Sequence, residues 1–162
     1  MYKVASRWDH SNAIKIEWNL GKRCNYDCTY CDATRHTNTS PHASLEELID
    51  TFEFIRAWVD LYNSKRKRPG FVNIGFTGGE PTINKTHYDL LQLIINSGYS
   101  NKVTLEYNSN MVAIPDKLYA QWDQFNKVDI GCSIDGYGEY ANYLRYPSKW
   151  KDLEENMDVL GY

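Results

Sequence analysis

Apolar and polar residues alternate in four short stretches of this chain. Ile14, Ile16 and Trp18 alternate with Lys15, Glu17 and Asn19; Val72, Ile74 and Phe76 with Asn73, Gly75 and Thr77. Val103, Leu105 and Tyr107 alternate with Thr104, Glu106 and Asn108; Val128, Ile130 and Cys132 with Asp129, Gly131 and Ser133. A period of two predicts strands with one apolar face, here over residues 14–19, 71–76, 102–107 and 127–133. Between and after them the apolar spacing becomes helical. One stripe runs through Leu45, Leu48, Ile49, Phe52, Ile55, Val59 and Tyr62, a second through Leu90, Leu91, Ile94 and Ile95. Leu118, Tyr119, Trp122 and Phe125 mark a third helix, and Leu153, Met157 and Leu160 a fourth. Ser44 with Glu47 reads as a capping box. Thr86 and Ser148 are the expected caps of the second and last helices, Pro115 sits in the first turn of the third, and Gly98 and Gly161 suit C-terminal turns.

Strands alternating with helices predict βαβ units and a parallel sheet with right-handed crossovers. A sheet covered on both faces would have nearly continuous apolar strands. Here each strand keeps a polar or small second face. The pattern therefore predicts an α/β fold: a partial (βα) barrel of about four units, its parallel sheet open, with a wet or ligand-filled interior. Such folds carry their sites at the C-terminal ends of the strands. The 162 residues suit one domain, 1–162.

Composition narrows the class. Hydrophobic residues make up 42% and charged residues 24%, the balance of a globular chain. The formal net charge of -3 gives no support to a nucleic-acid-binding surface, and the basic run Lys65–Arg68 lacks the interleaved aromatics of a single-strand binder. No apolar run reaches the ~18 residues of a membrane span, and residues 1–5 lack a signal-peptide core. Of four cysteines, three fall within eight residues, Cys24, Cys28 and Cys31. That clustering favours metal binding over disulfides and leads to the expectation of a reducing cytoplasm.

CxxxCxxC in a short polar loop brings three thiolates together without an obvious fourth ligand. A structural zinc site is closed by four ligands. A cubane iron–sulfur cluster on three cysteines keeps one iron open. A zinc clip or an inert cysteine loop is the competing reading.

The stretch Cys24-Asn25-Tyr26-Asp27-Cys28-Thr29-Tyr30-Cys31 resembles the cluster loop of radical S-adenosylmethionine (radical SAM) enzymes, CxxxCxφC, with Tyr30 at the aromatic position. Gly78-Gly79-Glu80-Pro81, directly after the second strand, resembles that family's second element. The resemblance covers about residues 14–147 and the front part of a core that usually has six βα units. It implies a 4Fe-4S cluster on Cys24, Cys28 and Cys31, with S-adenosylmethionine chelating the open iron. It also implies reductive cleavage of that cofactor to a 5′-deoxyadenosyl radical that takes a hydrogen atom from a substrate, and an electron donor such as flavodoxin or ferredoxin.

By the same resemblance, Tyr30 lies near the adenine, and the Gly78–Pro81 loop meets the methionine amine. Gly79→Val is accordingly expected to block the cofactor and spare the cluster. Ser109-Asn110 resembles the family's Thr-Asn-Gly element, with Met111 in place of glycine. Ser133 and Asp135 stand where the family places ribose contacts, and Arg145 where some members place a carboxylate-binding arginine. Asn25 and Thr29 are candidates for hydrogen bonds to the sulfurs, against ordinary loop solubility. His36 and His42 read as solvated loop residues, and Cys132 as a small core residue.

The stretch from Ser133 to Arg145 looks most like the peptide-modifying and activating branches, so peptide or protein modification is the first expectation. The alternatives are a small-molecule enzyme of the deazapurine type and a non-catalytic cluster-binding partner. The fourth strand, with no fifth to pair with it, is expected to need a completing chain or a homodimer of facing half-barrels.

Overall fold

The computed structural model describes residues 14–31, 41–67, 70 and 72–161. Four parallel strands, β1 (Ile14–Asn19), β2 (Val72–Thr77), β3 (Val103–Ser109) and β4 (Lys127–Cys132), form one sheet in sequence order. The helices α1 (Leu45–Ser64), α2 (Lys85–Asn96) and α3 (Asp116–Trp122) link them. Two short helices, α4 (Glu139–Leu144) and α5 (Trp150–Val159), follow β4. This is the open, partial (βα) architecture that the alternation predicts. Among the described residues no helix is long and apolar enough to cross a membrane.

The register preserves parity across the sheet. Ile16 pairs with Ile74, Ile74 with Leu105, and Leu105 with Val128, so the apolar side chains share one face. Phe52 and Val59 of α1, Leu90, Leu91 and Ile94 of α2 and Leu118 of α3 pack on that face with no exposed surface. Each such side chain contributes about 1.5–3 kcal/mol of burial. The opposite face carries polar pairs. Glu106 receives a hydrogen bond from Asn73 and an ion pair from Lys15 at 3.4 Å, and Asn126 donates to Thr104.

The capping box stands: Ser44 accepts from the Glu47 backbone, and the Glu47 carboxylate accepts from the Ser44 N–H. Other caps differ from expectation. Asn84, not Thr86, caps α2, its Oδ1 accepting from the Thr86 and His87 N–H groups. Asparagine precedes threonine here and is the stronger cap; the Thr86 hydroxyl instead donates to Ala43 O. Pro115 lies at the cap position of α3, one residue before the helix. Ser148 does not cap α5 but donates to Ala141 O, and Asn142 Oδ1 accepts from the Trp150 N–H. Helix α4 had no apolar period to betray it, because Ala141 is its one buried residue. Tyr62 and Tyr119 lie exposed rather than in their helices' buried stripes, and Cys132 is half-buried. His36, Arg68, Pro69 and Phe71 lie outside the described residues.

One core residue makes stability depend on pH. His87 is fully buried, 2.8 Å from the Tyr107 hydroxyl and edge-on to Phe76. Burial pulls its pKa down to about 3, so the fold holds it neutral while the unfolded chain protonates it near 6.5. The folded-state value is depressed, so its stabilisation is complete above pH 6.5 and is lost as pH falls toward 3. Stability should drop by about 1.4 kcal/mol per pH unit in that window. Urea unfolding at pH 7, 6 and 5 measures the slope, and His87→Phe should flatten it. An equal slope in that variant would assign the acid sensitivity to other groups.

Candidate active site

The C-terminal ends of all four strands open onto one cavity of about 450 Å³, a size suited to a small molecule. Cys24, Cys28 and Cys31 border it together with Tyr30, Gly78, Gly79, Glu80, Asn110, Ser133 and Arg145. Five residues that the sequence did not single out also line it: Asn19, Thr77, Asn108, Tyr26 and Lys22. The signal for the first three was present. Each is the last inward-facing residue of its strand, as Ser133 is just beyond β4.

The cysteine loop is clamped from two sides. On one side the Gly79 N–H donates to Gly21 O at 2.8 Å and the Glu80 N–H to Arg23 O at 2.9 Å. On the other the Asp27 N–H donates to Tyr146 O and the Thr29 N–H to Leu144 O, beyond and within α4. The loop also bonds across to the end of β3, where Asn110 Nδ2 donates to Asn25 Oδ1 at 2.8 Å. Within it the Tyr26 N–H points at the Cys24 sulfur at 3.4 Å, and the Cys31 N–H closes a tight turn on Cys28 O. Asn25 Oδ1 also lies 3.9 Å from the Cys24 sulfur, accepting from the thiol, whereas the Thr29 hydroxyl turns away to Leu144 O.

Glu80 is the brace behind the cavity. It is buried, and its Oε1 accepts from Thr82 N–H, Thr82 Oγ1 and Ser109 Oγ while Oε2 accepts from the Asn110 N–H at 2.7 Å. Ser109 and Pro81 therefore sit behind the cavity wall, both buried, and act through Glu80 and the turn that follows it. A carboxylate suits this place because every partner is a donor. Glu80→Gln turns an amide N–H₂ toward the Asn110 N–H or the hydroxyls and should cost about 1–3 kcal/mol. Thermal denaturation of the variant measures it; an unchanged midpoint would remove Glu80 from this role.

Tyr30, Asp135 and Arg145 form a second cluster at the cavity rim. The Tyr30 hydroxyl donates to Asp135 Oδ2, Arg145 Nε lies 2.6 Å from the same oxygen, and the guanidinium stands 5.7 Å from the Tyr30 ring centre. The Tyr30 hydrogen bond, joined by Arg145, holds the Asp135 carboxyl below the usual carboxylate range. Burial, then the Asp135 bond, pushes the Tyr30 phenol well up. Asp135 borders a small neighbouring pocket with Tyr26, Ser133 and Arg145. His42 lies away from the cavity, half-buried behind the glycine loop, its pKa lowered by burial and then by Arg23.

The glycine pair has a different reason from the one its motif suggests. A Cβ on Gly79 would stand 1.9 Å from Arg23 O, and one on Gly78, at φ +119°, 2.2 Å from Gly21 O. The space denied to a side chain belongs to the backbone of the cysteine loop, so Gly79→Val is not expected to spare that loop. Met111, where the family element has glycine, adopts φ +64°, in the left-handed region that glycine favours. The left-handed conformation costs about 1–2 kcal/mol, offset by complete burial of the methionine side chain.

A family model described as Radical SAM superfamily matches residues 18–161. The chain belongs to the radical SAM superfamily. The family uses a 4Fe-4S cluster and S-adenosylmethionine. Relatives include a GTP 3′,8-cyclase of Vibrio parahaemolyticus, 26% identical over 128 residues, covering 78% of this chain and 35% of the relative. A GTP 3′,8-cyclase of Campylobacter fetus is 28% identical over 105 residues, 65% of this chain and 30% of its own length. An S-adenosylmethionine-dependent nucleotide dehydratase of Selenomonas ruminantium is 25% identical over 129 residues, 76% of this chain and 39% of its own. The chain spans about a third of the length of the curated relatives it matches. A solved structure described as native anSMEcpe with bound AdoMet matches the fold with a TM-score of 0.62 at 21% identity, over 91% of this chain and 41% of that one.

The residues of the radical SAM cavity fit the family's cofactors. The donor set is three thiols, the soft ligands that iron–sulfur clusters take. The Cys24 and Cys28 thiols are pushed up first by burial and also by the nearby Cys31. Among the described residues no three Cys, His, Asp or Glu side chains are grouped as a cage for a single ion. A cubane does not require one, because each thiolate takes a different iron.

Proposed function

We propose that this chain holds a 4Fe-4S cluster through Cys24, Cys28 and Cys31 and binds S-adenosylmethionine beside it. The observation that carries this reading is the single cavity in which the three thiols, the Gly78–Glu80 loop and the polar ends of the strands meet. When bound, this pair supplies reductive cleavage of a carbon–sulfur bond and a 5′-deoxyadenosyl radical that removes hydrogen from a substrate. The chain's own residues do the rest. The N–H groups of Gly79 and Glu80 are spent on the cysteine loop, which leaves the carbonyls of Gly78 and Gly79 to accept from the cofactor's ammonium group. Arg145, anchored through Nε by Asp135, keeps its terminal N–H groups for a carboxylate. Ser133 and the second oxygen of Asp135 would hydrogen-bond the ribose, and Tyr30, Asn108 and Asn110 would hold the adenine.

Peptide modification loses its place as the first expectation. The relatives carry the names of nucleotide enzymes, and the anSMEcpe likeness extends to the fold alone. We take a nucleotide as the substrate class, with electrons from a flavodoxin or ferredoxin. Anaerobic reconstitution with iron and sulfide, then dithionite and S-adenosylmethionine, should yield 5′-deoxyadenosine, faster with a nucleoside triphosphate present. A brown, iron-replete protein that never cleaves the cofactor would favour the non-catalytic partner reading. Stoichiometric zinc without cluster uptake would overturn the site.

A further inference from the structure

Helix α1 has two apolar stripes, and one is bare. Leu48, Phe52, Ile55 and Val59 face the sheet. About a quarter turn around the helix, Phe54, Trp58, Leu61 and Tyr62 stand 73%, 46%, 56% and 40% exposed. Two aromatic rings on this stripe already pack together: Trp58 stacks on Tyr62 with centroids 5.5 Å apart, and the Arg66 guanidinium covers Tyr62 at 5.0 Å. Rigid aromatic anchors of this kind are what association surfaces use.

The charges along the same stripe are arranged as a mirror. Its N-terminal end carries Glu47 and Asp50, and its C-terminal end Lys65. Glu47 and Lys65, Asp50 and Tyr62, and Phe54 and Trp58 are each placed symmetrically about position 56. Turned end for end, the stripe is complementary to itself: acid meets base, carboxylate meets phenol, ring meets ring. We propose that α1 is a self-association surface, on which a second copy of this chain lays its own α1 antiparallel across a two-fold axis.

The area sets the strength. Half of the roughly 150–250 Å² that each of three aromatic side chains can bury, with a smaller share from Leu61, gives about 300–400 Å² per copy and about 600–800 Å² per pair. Stable interfaces begin near about 1,200 Å². The charged ends supply part of the difference, and the pair dissociates at about 10–100 μM. This contact lies on the helix layer, so it leaves the inner face of the sheet open, unlike a dimer of facing half-barrels. It does not depend on what the cavity binds.

Sedimentation velocity of the full chain from about 5 to 500 μM should show the mass moving from one copy to two. Phe54→Ser, an exposed change, should hold the protein monomeric. Lys65→Glu and Glu47→Lys should each weaken pairing by about tenfold, yet an equimolar mixture of the two should pair as well as wild type. Weakening by each single variant together with recovery in the mixture marks the antiparallel contact, because a parallel one already sets like charges against each other in the wild type and in each variant alone. Because Glu47 also belongs to the capping box, circular dichroism checks the helix in Glu47→Lys. If that variant loses helix, Lys65→Glu must weaken pairing more than Lys65→Ala does. A monomer throughout, a mixture that does not recover, or equal effects of the two Lys65 variants would overturn the proposal and give the stripe to another occupant.

Discussion

Cys24→Ala, Cys28→Ala and Cys31→Ala, made singly, should each leave the anaerobically reconstituted protein colourless. About four irons per chain should fall below one, and 5′-deoxyadenosine formation should fall to background. The effect is near total because each thiolate serves a different iron, and among the described residues no other thiol lines the cavity to replace it. Among the described residues, the fourth cysteine, Cys132, lies on β4 and outside the cavity lining. Cys132→Ala is therefore the control, and should keep its iron. None of the thiols is in a disulfide, and although the Cys24 sulfur touches Tyr26 N–H and Asn25 Oδ1, the loop is held mainly by its backbone bonds to Gly79, Glu80, Leu144 and Tyr146. The alanine variants should accordingly remain folded, with circular dichroism like wild type. Full iron content in any of the three would remove that residue from the cluster.

The second large effect belongs to Gly79→Ala, which should cost the protein its iron as well as its cofactor. The added carbon would overlap Arg23 O and stand 2.7 Å from Lys22 O. These are backbone atoms of the segment leading into Cys24 and cannot rotate aside. The loops must separate, breaking the bonds from Gly79 N to Gly21 O and from Glu80 N to Arg23 O. The overlap should destabilise the fold by about 2–3 kcal/mol and pull Cys24 away from Cys28 and Cys31. Iron and sulfide assays beside a thermal melt measure both losses. A variant with its full complement of iron and no cofactor affinity would instead show that the glycine serves to admit the ligand.

Between these two results lies the difference between a motif and its physical cause. The cysteine triplet and the glycine loop were legible as a pair in the sequence, but their contact was not. Residues 21–23 and 78–80 are far apart along the chain, and a glycine that clears a ligand looks the same in sequence as one that admits a neighbouring loop. Arg145 shows the same limit. Its chemistry marked it as a partner for a carboxylate, and the carboxylate it meets in the fold is Asp135. Helix α4 went unread because its tyrosines face outward, leaving no apolar period, while its last carbonyl, Leu144 O, and Tyr146 O just beyond it do the unseen work of holding the cysteine loop.

What the sequence determined by itself was the set of elements that depend on local pattern. Period-two alternation in four segments specified four strands and the face each buries, and β1 to β4 pair in the register that parity requires. The capping box at Ser44 and the glycine turn at Gly98 are equally local, since their bonds span only a few residues. The tertiary structure alone decided which loops touch at the strand ends. It made Glu80 a buried acceptor for donors from Thr82, Ser109 and Asn110. It gave Met111 a glycine's backbone, and it left one stripe of α1 bare while burying the other. Those outcomes depend on distances between segments remote in the chain. The periodicity of any one segment says which face is apolar, and only the packed neighbours decide what that face meets.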